Sequence, residues 1–387
     1  MNKQEVLFNL IRREICGAEL SEEIKSNIDS DVLKELYDIS KKFDITPIVA
    51  SALSSNRLLA EDEASRQFNK ELLLSVMRYE KMNYEFEAIS KTLEAAKIPY
   101  IPLKGAVIRD LYPEKWMRLS CDIDILVKEE DLDRAVEALC EKLNYKTDRI
   151  KEYHNVSLFS ESDIHLELHF NIKERNDSID KLLADVWSFS KPEAEGAYKH
   201  VMTNEFMIFY NVAHMSYHFL LGGCGIRPFI DLYILITKLE YDKEKLSGLC
   251  KNCQIEKFRI SVEETSRVWL ENAEHTELTK KIQEYILSGG IYGDNETVII
   301  MQKEKSGGNF KYMLQRVFQP YGILSGRYAI LKKHRWLTPF YQVKRWFDVL
   351  AEGKAKKAAN EFSVIVNADK EKNKKIMRLM QDVGLEP

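Results

Sequence analysis

Two aspartates, Asp122 and Asp124, lie two positions apart in a short apolar run, DIDILV. Residues two apart on a strand point to the same face, so both carboxylates leave one face while Ile123, Ile125 and Val127 leave the other. Like charges held this close destabilise a fold unless a cation lies between them. Because carboxylate oxygens are the ligands that Mg²⁺ prefers, the pair predicts a metal site.

A second apolar run about forty residues later, IHLELHF, carries a third acid, Glu167. On a neighbouring strand, Glu167 would complete a set of three carboxylates able to hold one or two Mg²⁺ ions. His165 and His169 share its strand parity, so each either faces the site or is an ordinary packed or exposed histidine. The alternative for Asp122 and Asp124 is a pair of surface carboxylates on an edge strand.

Strand and helix patterns alternate around these acids. Apolar spacing predicts strands at 99–103, 121–127, 155–160 and 164–170 and helices over about 106–111 and 129–143. This order is typical of a small unit with a mixed sheet, and the apolar residues on both sides follow helical spacing. The sequence therefore predicts an α+β fold, in which a small mixed-sheet core is flanked by N-terminal and C-terminal helical regions.

The 387 residues suit two or three domains. The patterns divide the chain into a helical region (1–97), an α/β core (98–175), a helical domain (176–302) and a basic helical region (303–387). From Lys303 to Arg378 there are 18 Lys and Arg and 6 Asp and Glu, which gives this segment a charge of +12. The net charge of the whole chain is −4, so the remainder carries −16. Such a segment either meets phosphates of a nucleic acid or nucleotide, or is a set of solvated helix faces.

The compartment is predicted from segments that the sequence lacks. No apolar run reaches the roughly 18 residues that a membrane span needs. The first residues, MNKQEVLFNLIRREIC, have the pattern of a charged amphipathic helix rather than of a signal peptide. The six cysteines are scattered without a disulfide framework. We therefore expect reduced thiols, a cytoplasmic location and no membrane partner.

The residues around the acids resemble a known superfamily. A turn at Lys104-Gly105, the Asp-x-Asp strand and the later Glu167 are similar to the DNA polymerase beta-type nucleotidyltransferases, which place a Gly-containing turn and helix before a strand with two acids. More closely, the order LKG, LYP, DIDILV and HLELHF resembles the bacterial "nucleotidyltransferase family protein" group. The resemblance covers residues 99–172 and extends through the helix that contains His214.

The resemblance implies a nucleotidyltransferase with two Mg²⁺ ions that moves an NMP group from an NTP, such as ATP, to a hydroxyl. It implies that Asp122, Asp124 and Glu167 bind the metal and act in catalysis, with Glu167 also helping to deprotonate the hydroxyl. The residues expected to contact the nucleotide are Lys104, Gly105, Arg118, His169 and His214.

The turn departs from the superfamily pattern, in which a Gly-Ser or Gly-Gly pair holds the triphosphate. Here Lys104 precedes a single glycine, Gly105, and a lysine binds phosphate as a point charge. The departure favours an alternative function, a non-catalytic nucleotide-sensing or protein-binding module on the same fold. The three acids oppose that alternative, because a binding module has no need of three metal-facing carboxylates.

Several assignments stay open at this point. The acceptor is a small molecule, a protein side chain or an RNA end. His214 and His218 have the spacing of zinc ligands on a helix but lack the Glu of a zinc hydrolase, so His214 is instead predicted near the substrate. The alternative for Arg118 is a surface arginine. Arg227 and Asp231, one helical turn apart, predict a structural ion pair.

Overall fold

The computed structural model describes residues 3–147, 154–289, 317–328, 330–351 and 370–386, together with 311 and 314. Parts of the predicted basic region 303–387 lie outside the described residues. The strands are β1 (Tyr100–Pro102), β2 (Asp122–Val127), β3 (Asn155–Phe159), β4 (His165–His169), β5 (Ser190–Pro192) and β6 (His200–Met202). The helices that precede β1 are α1 (Lys3–Cys16), α2 (Glu22–Ser26), α3 (Ser30–Lys42), α4 (Thr46–Ser55) and α5 (Glu63–Ala95).

The remaining helices follow the first strand. Two belong to the sheet unit: α6 (Gly105–Ile108) and α7 (Leu132–Leu143). The next six are α8 (Asp177–Leu183), α9 (Asn204–Leu220), α10 (Arg227–Lys238), α11 (Lys243–Asn252), α12 (Glu256–Glu271) and α13 (Glu277–Ser288). The last described helices are α14 (Tyr321–Arg327), α15 (Ile330–Lys333), α16 (Thr338–Ala351) and α17 (Lys370–Val383).

The main sheet has the strand order β1-β2-β4-β3. β2 pairs with β4 in parallel, whereas β1 pairs with β2 and β3 with β4 in antiparallel fashion. The predicted α+β fold with a small mixed sheet and flanking helices is confirmed. The hairpin of β5 and β6 lies in a stretch predicted to be helical, and strands of three residues are too short to establish an alternating pattern.

One face of the main sheet is apolar and covered by helices. Its buried residues on the strands are Tyr100, Ile123, Ile125, Val127, Val156, Leu158, Leu166 and Leu168. They share a core with Met82, Ile89 and Leu93 of α5 and with Leu132, Ala135 and Leu139 of α7. The alternation of β2 thus buries its isoleucines and directs Asp122 and Asp124 to the opposite face.

The helices before and after the sheet share a second core. Phe8 of α1 stacks on Trp269 of α12, with ring centroids 4.9 Å apart. Arg12 Nε donates to the carbonyl oxygen of Trp269 at 2.8 Å, and Cys16 Sγ to that of Leu270 at 3.3 Å. Residues more than 250 positions apart therefore pack as neighbours. The four-part division predicted from sequence stays a prediction.

The long helix α5 contacts both cores. Asp62 caps its N-terminus by accepting a hydrogen bond from the Ser65 amide at 2.8 Å. Phe68 near that end lies in the helical core, while Ile89 near the other end lies under the sheet. Among the helices that the structure describes, none has the length and apolarity to cross a membrane.

Candidate active site

The register of β2 and β4 brings the three predicted acids to one face. Asp124 lies directly opposite Glu167, and Asp122 lies opposite His165. Ligand atoms of Asp122, His165 and Glu167 lie within 4.8 Å of one another, and so do those of Asp124, Glu167 and His169. The two groups share Glu167, so the strands assemble a compact set of carboxylate and imidazole ligands.

The carboxylates repel one another in the absence of a cation. Burial, together with the charges of Asp124 and Glu167, raises the pKa of Asp122. For Asp124, burial acts in the same direction, but Lys104 and His169 outweigh it and lower the pKa of that carboxyl. A bound cation would remove the repulsion, and carboxylate oxygens suit Mg²⁺.

His169 lies between two of the acids. Its Nε2 is 2.8 Å from Asp124 Oδ1 and 3.4 Å from Glu167 Oε2, and its side chain is 5% exposed. Burial alone would lower the pKa of His169, but the hydrogen bonds to Asp124 and Glu167 raise it. The structure thus brings His169 into the acid cluster, which is one of the two alternatives that its strand parity left open.

The edge strand β3 contributes residues that the sequence did not single out. Asn155 Nδ2 donates to Glu167 Oε2 at 2.9 Å, which orients that carboxylate. Ser157 Oγ lies 3.1 Å from His165 Nε2. Strand parity relative to Glu167 would have placed both on the acid face, but only once the pairing of β3 with β4 was known.

Lys104 connects the turn to the acids. Its backbone has φ +38° and ψ −108°, a conformation that side chains with a Cβ rarely adopt. Burial disfavours its ammonium group, but the neighbouring Tyr210 and the carboxylates of Asp124 and Glu174 outweigh this and raise the pKa of Lys104. A fixed positive charge therefore lies beside the acid cluster.

Glu174 and His214 form a hydrogen-bonded pair in which Glu174 is buried and His214 is partly exposed. His214 Nδ1 lies 2.9 Å from Glu174 Oε1, and the Glu174 side chain is 5% exposed. Sequence reasoning missed Glu174, which follows β4 in a polar stretch without a motif. Tyr210, one turn before His214 on α9, was missed for the same reason. The pair places His214 near the turn, where it contributes to the low pKa of Asp124.

The zinc alternative finds no support in this geometry. The rings of His214 and His218 pack edge to face at 4.5 Å. Burial and the neighbouring His214 lower the pKa of His218 to about 3. Within the part of the chain that the structure describes, the groups able to hold a metal ion include neither histidine.

Gly105 is fixed by close packing under the turn. Arg109 Nε donates to the Gly105 carbonyl at 2.6 Å, and Arg118 Nη1 donates to Ser120 Oγ at 3.2 Å. A Cβ at position 105 would lie 2.6 Å from Arg118 Nη1 and closer still to Ser120 Oγ. The position therefore accepts only glycine without a shift of its neighbours.

Arg118 lies inside the protein, so the surface alternative is wrong. It is 8% exposed and forms a buried ion pair with Asp231 of α10. The predicted pair of Arg227 with Asp231 is also wrong, since Arg227 pairs with Asp44. A tertiary partner has replaced the local one, and Arg118 supports the turn from beneath.

Two cavities border the Glu174–His214 pair. One, of about 550 Å³, is lined by Lys104, Val107, Tyr210 and His214 among others. The other, of about 690 Å³, is lined by Glu174 together with residues of α8, α9 and the segment after α17. Space for a substrate thus exists next to the turn and its lysine.

Comparison with known proteins identifies a family. A family model described as "Uncharacterised nucleotidyltransferase" matches residues 30–270. The matched range contains the acids, the turn and the Glu174–His214 pair. Neither a curated protein nor a solved structure matches the chain.

Proposed function

The chain belongs to this uncharacterised nucleotidyltransferase family, and on that premise we propose that it transfers an NMP group from an NTP to a hydroxyl acceptor with the help of Mg²⁺. The observation that carries the proposal is the pairing of Asp124 with Glu167 on parallel strands, with Asp122 on the same face. A carboxylate oxygen of Glu167 lies within 4.8 Å of one from Asp122 and of one from Asp124. These three carboxylates are the donor set that this chemistry needs.

The residues present fit the metal. Asp122, Asp124 and Glu167 would hold it, because carboxylate oxygens are hard donors. Burial and, to a smaller extent, repulsion from Asp124 and Glu167 raise the pKa of Asp122, and a bound cation would relieve both effects. Bound Mg²⁺ would polarise the phosphates and lower the pKa of the acceptor hydroxyl. His169, hydrogen-bonded to Asp124, would contact the nucleotide from within the cluster.

The remaining chemistry is assigned to side chains of this protein. Glu167 accepts the hydroxyl proton, the acceptor oxygen bonds to the α-phosphorus, and the α–β phosphoanhydride bond breaks to release pyrophosphate. Lys104 holds phosphate oxygens by its charge, and His214, which lines the same cavity as Lys104, contacts the bound nucleotide. Gly105 and Arg118 keep the turn in place, as their packing against Ser120 supports.

A calorimetric titration tests the metal-dependent binding. ATP, GTP, CTP and UTP are titrated with and without Mg²⁺ into the native chain, Asp122→Asn and Asp124→Asn, with Glu161→Gln as an exposed-acid control. We expect Mg²⁺-dependent binding that the aspartate variants lose and the control keeps. Equal binding by all four proteins would overturn the assignment of the nucleotide to these acids.

A second function on the same fold is a nucleotide-sensing or protein-binding module without turnover. The turn favours it, because Lys104 before a single glycine departs from the Gly-Ser or Gly-Gly pair of the superfamily, and the charge of Lys104 already lies beside Asp124. Release of pyrophosphate separates the two functions. The native chain is incubated with Mg²⁺, the bound NTP and small-molecule, protein and RNA fractions in turn. Release with one fraction supports transfer and identifies the acceptor class, while binding without release from any fraction supports the module.

A further inference from the structure

An exposed stripe of large apolar side chains runs along α16 and the turn before it. Trp336, Phe340, Val343 and Phe347 form this aromatic stripe, at the spacing of one helix face. Trp336 is 70% exposed, Phe340 66% and Phe347 67%. A soluble protein rarely leaves such a contiguous face in water unless it meets a partner there.

The opposite face of α16 packs inward through buried polar side chains as well as aromatic rings. Gln342 is buried and donates to the Gln319 carbonyl at 2.6 Å, and buried Arg345 donates to the Val317 carbonyl at 2.7 Å. The orientation of α16 is therefore fixed by specific hydrogen bonds that leave the stripe outside.

Basic residues surround the stripe. From 317 to 351 the described residues include six Lys and Arg against one acid, Asp348. Lys332, Lys333 and Arg335 are exposed just before α16. Asp348 is already paired with Lys344 at 2.9 Å and accepts a hydrogen bond from Tyr328 at 2.6 Å. The described part of this surface thus combines a net positive charge with exposed aromatic rings.

We propose that the aromatic stripe and its basic border form a peripheral docking surface for an anionic lipid bilayer. Aromatic side chains enter the boundary between headgroups and acyl chains, while Lys and Arg beside them meet the anionic headgroups. The lack of a membrane-spanning run, which led to the expectation of no membrane partner, does not bear on surface binding. The proposal concerns surface binding and does not depend on the proposed function.

Other occupants fit the same surface less well. A second copy would bring identical basic patches together around a two-fold axis, which like charges oppose. A single-stranded nucleic acid would use the rings as stacking platforms, but aliphatic Val343 lies within the stripe, and Ile323 and Ile330 are exposed near it. Aliphatic side chains gain nothing from stacking and are stabilised by contact with acyl chains.

Vesicle co-sedimentation of the full chain tests the proposal. Vesicles of equal parts phosphatidylglycerol and phosphatidylcholine are compared with vesicles of phosphatidylcholine alone. We expect binding to the anionic vesicles that is weakened by salt. The affinity of the double variant Phe340→Ser/Phe347→Ser for these vesicles should fall by about tenfold or more. Lys332→Glu/Lys333→Glu should lose binding as well.

A matched control separates the stripe from exposed apolar surface in general. Leu73 and Met77 of α5 are 62% and 58% exposed, so Leu73→Ser/Met77→Ser removes a similar exposed pair elsewhere. This variant should bind as the native chain does. All variants lie on the surface, and unchanged melting temperatures would establish that they fold.

Three results would overturn the proposal. The first is equal binding of the native chain and the phenylalanine double variant to anionic vesicles, which would mean charge adsorption alone. The second is preferential binding of a 20-nucleotide single-stranded RNA, lost in the same variant, which would assign the surface to nucleic acid. The third is a native dimer by light scattering that the variant converts to a monomer.

Discussion

Arg118 and Asp231 form a bidentate ion pair across 113 positions of the chain, with Nε to Oδ1 at 2.9 Å and Nη2 to Oδ2 at 2.8 Å. Tyr112 donates its hydroxyl to the same carboxylate at 2.7 Å. Both partners are buried. The pair fixes the segment before β2 to α10 and so holds the acid-bearing strand against the helical core.

Loss of one partner of this pair should be costly. Asp231→Ala leaves the Arg118 guanidinium buried without its counter-ion, and we expect a loss of about 3–5 kcal/mol in the free energy of unfolding. Asp44→Asn, which breaks the more exposed pair with Arg227, should cost no more than about 1 kcal/mol. Urea denaturation measures both; equal costs would contradict the structural role given to the buried pair.

A glycine pair tests the packing of the turn. Gly105→Ala pushes a methyl group against Arg118 Nη1 and Ser120 Oγ, so we expect a loss of about 1–3 kcal/mol. Gly248→Ala, in α11, meets nothing within 4 Å and should stabilise by about 0.5–1 kcal/mol. Thermal denaturation of the two variants gives opposite signs if Gly105 is fixed by contact, and the same sign if it is not.

Two variants of Lys104 separate its backbone from its charge. Both Lys104→Gly and Lys104→Ala remove the ammonium group, so the affinity of both variants for Mg²⁺-NTP should fall by about tenfold or more. Glycine adopts φ +38° and ψ −108° at lower cost than alanine. The glycine variant should therefore be more stable than the alanine variant by about 1–2 kcal/mol. Equal stability with unequal NTP affinity would reverse this assignment.

Substitution of one acid should have opposite effects with and without metal. Asp122→Asn removes a charge that Asp124 and Glu167 repel, so the metal-free chain should gain about 0.2–1 kcal/mol. With Mg²⁺ at about 100 times its dissociation constant, the native chain should gain about 2.7 kcal/mol and the variant much less. Melting curves with EDTA and with Mg²⁺ give both values. A native chain that Mg²⁺ does not stabilise would speak against the metal site.

The Glu174–His214 pair predicts an acid-dependent loss of stability. Burial by itself raises the pKa of Glu174, but His214 and Lys104 outweigh burial and lower it below its ordinary 4.5. A carboxyl with a lower pKa in the folded state stabilises above its unfolded pKa, and this contribution is lost as the pH falls through the folded pKa.

The free energy of unfolding should therefore fall more steeply below about pH 4.5 for the native chain than for Glu174→Gln. Glu195→Gln, at an exposed acid, serves as the control and should follow the native curve. Denaturant titrations from pH 7 to pH 3 measure the slopes. Parallel curves for all three proteins would remove Glu174 from the groups that link folding to pH.

The strand that carries the acids was predictable because its two faces differ so sharply. Alternation of Asp122 and Asp124 with isoleucines predicts a strand with one apolar face. The predicted boundaries agree with those of β2 to within one residue. Glu167 was identified by the same alternation on a second apolar run. What the alternation could not give is the parallel pairing that aligns Asp124 with Glu167.

The rest of the site depends on contacts between distant parts of the chain. Glu174 reaches His214 across 40 positions, and Asn155 reaches Glu167 from an edge strand. Neither residue lies in a spacing that local chemistry would distinguish. The predicted pair of Arg227 and Asp231 was wrong because residues one helical turn apart need not be partners. Here Arg118, from a distant part of the chain, forms the buried ion pair with Asp231.

The packing of α1 against α12 has a consequence for synthesis on the ribosome. Phe8 and Arg12 leave the exit tunnel long before their partner Trp269 exists. The apolar face of the first helices therefore stays without its partner until α12 has been synthesised. The sheet unit, which lies between α1 and α12 in the sequence, folds through contacts of shorter range. Nascent chains arrested before residue 269 should expose this face to chaperones, and folding of the helical layer should be slow, since its nucleus needs both ends of a long loop.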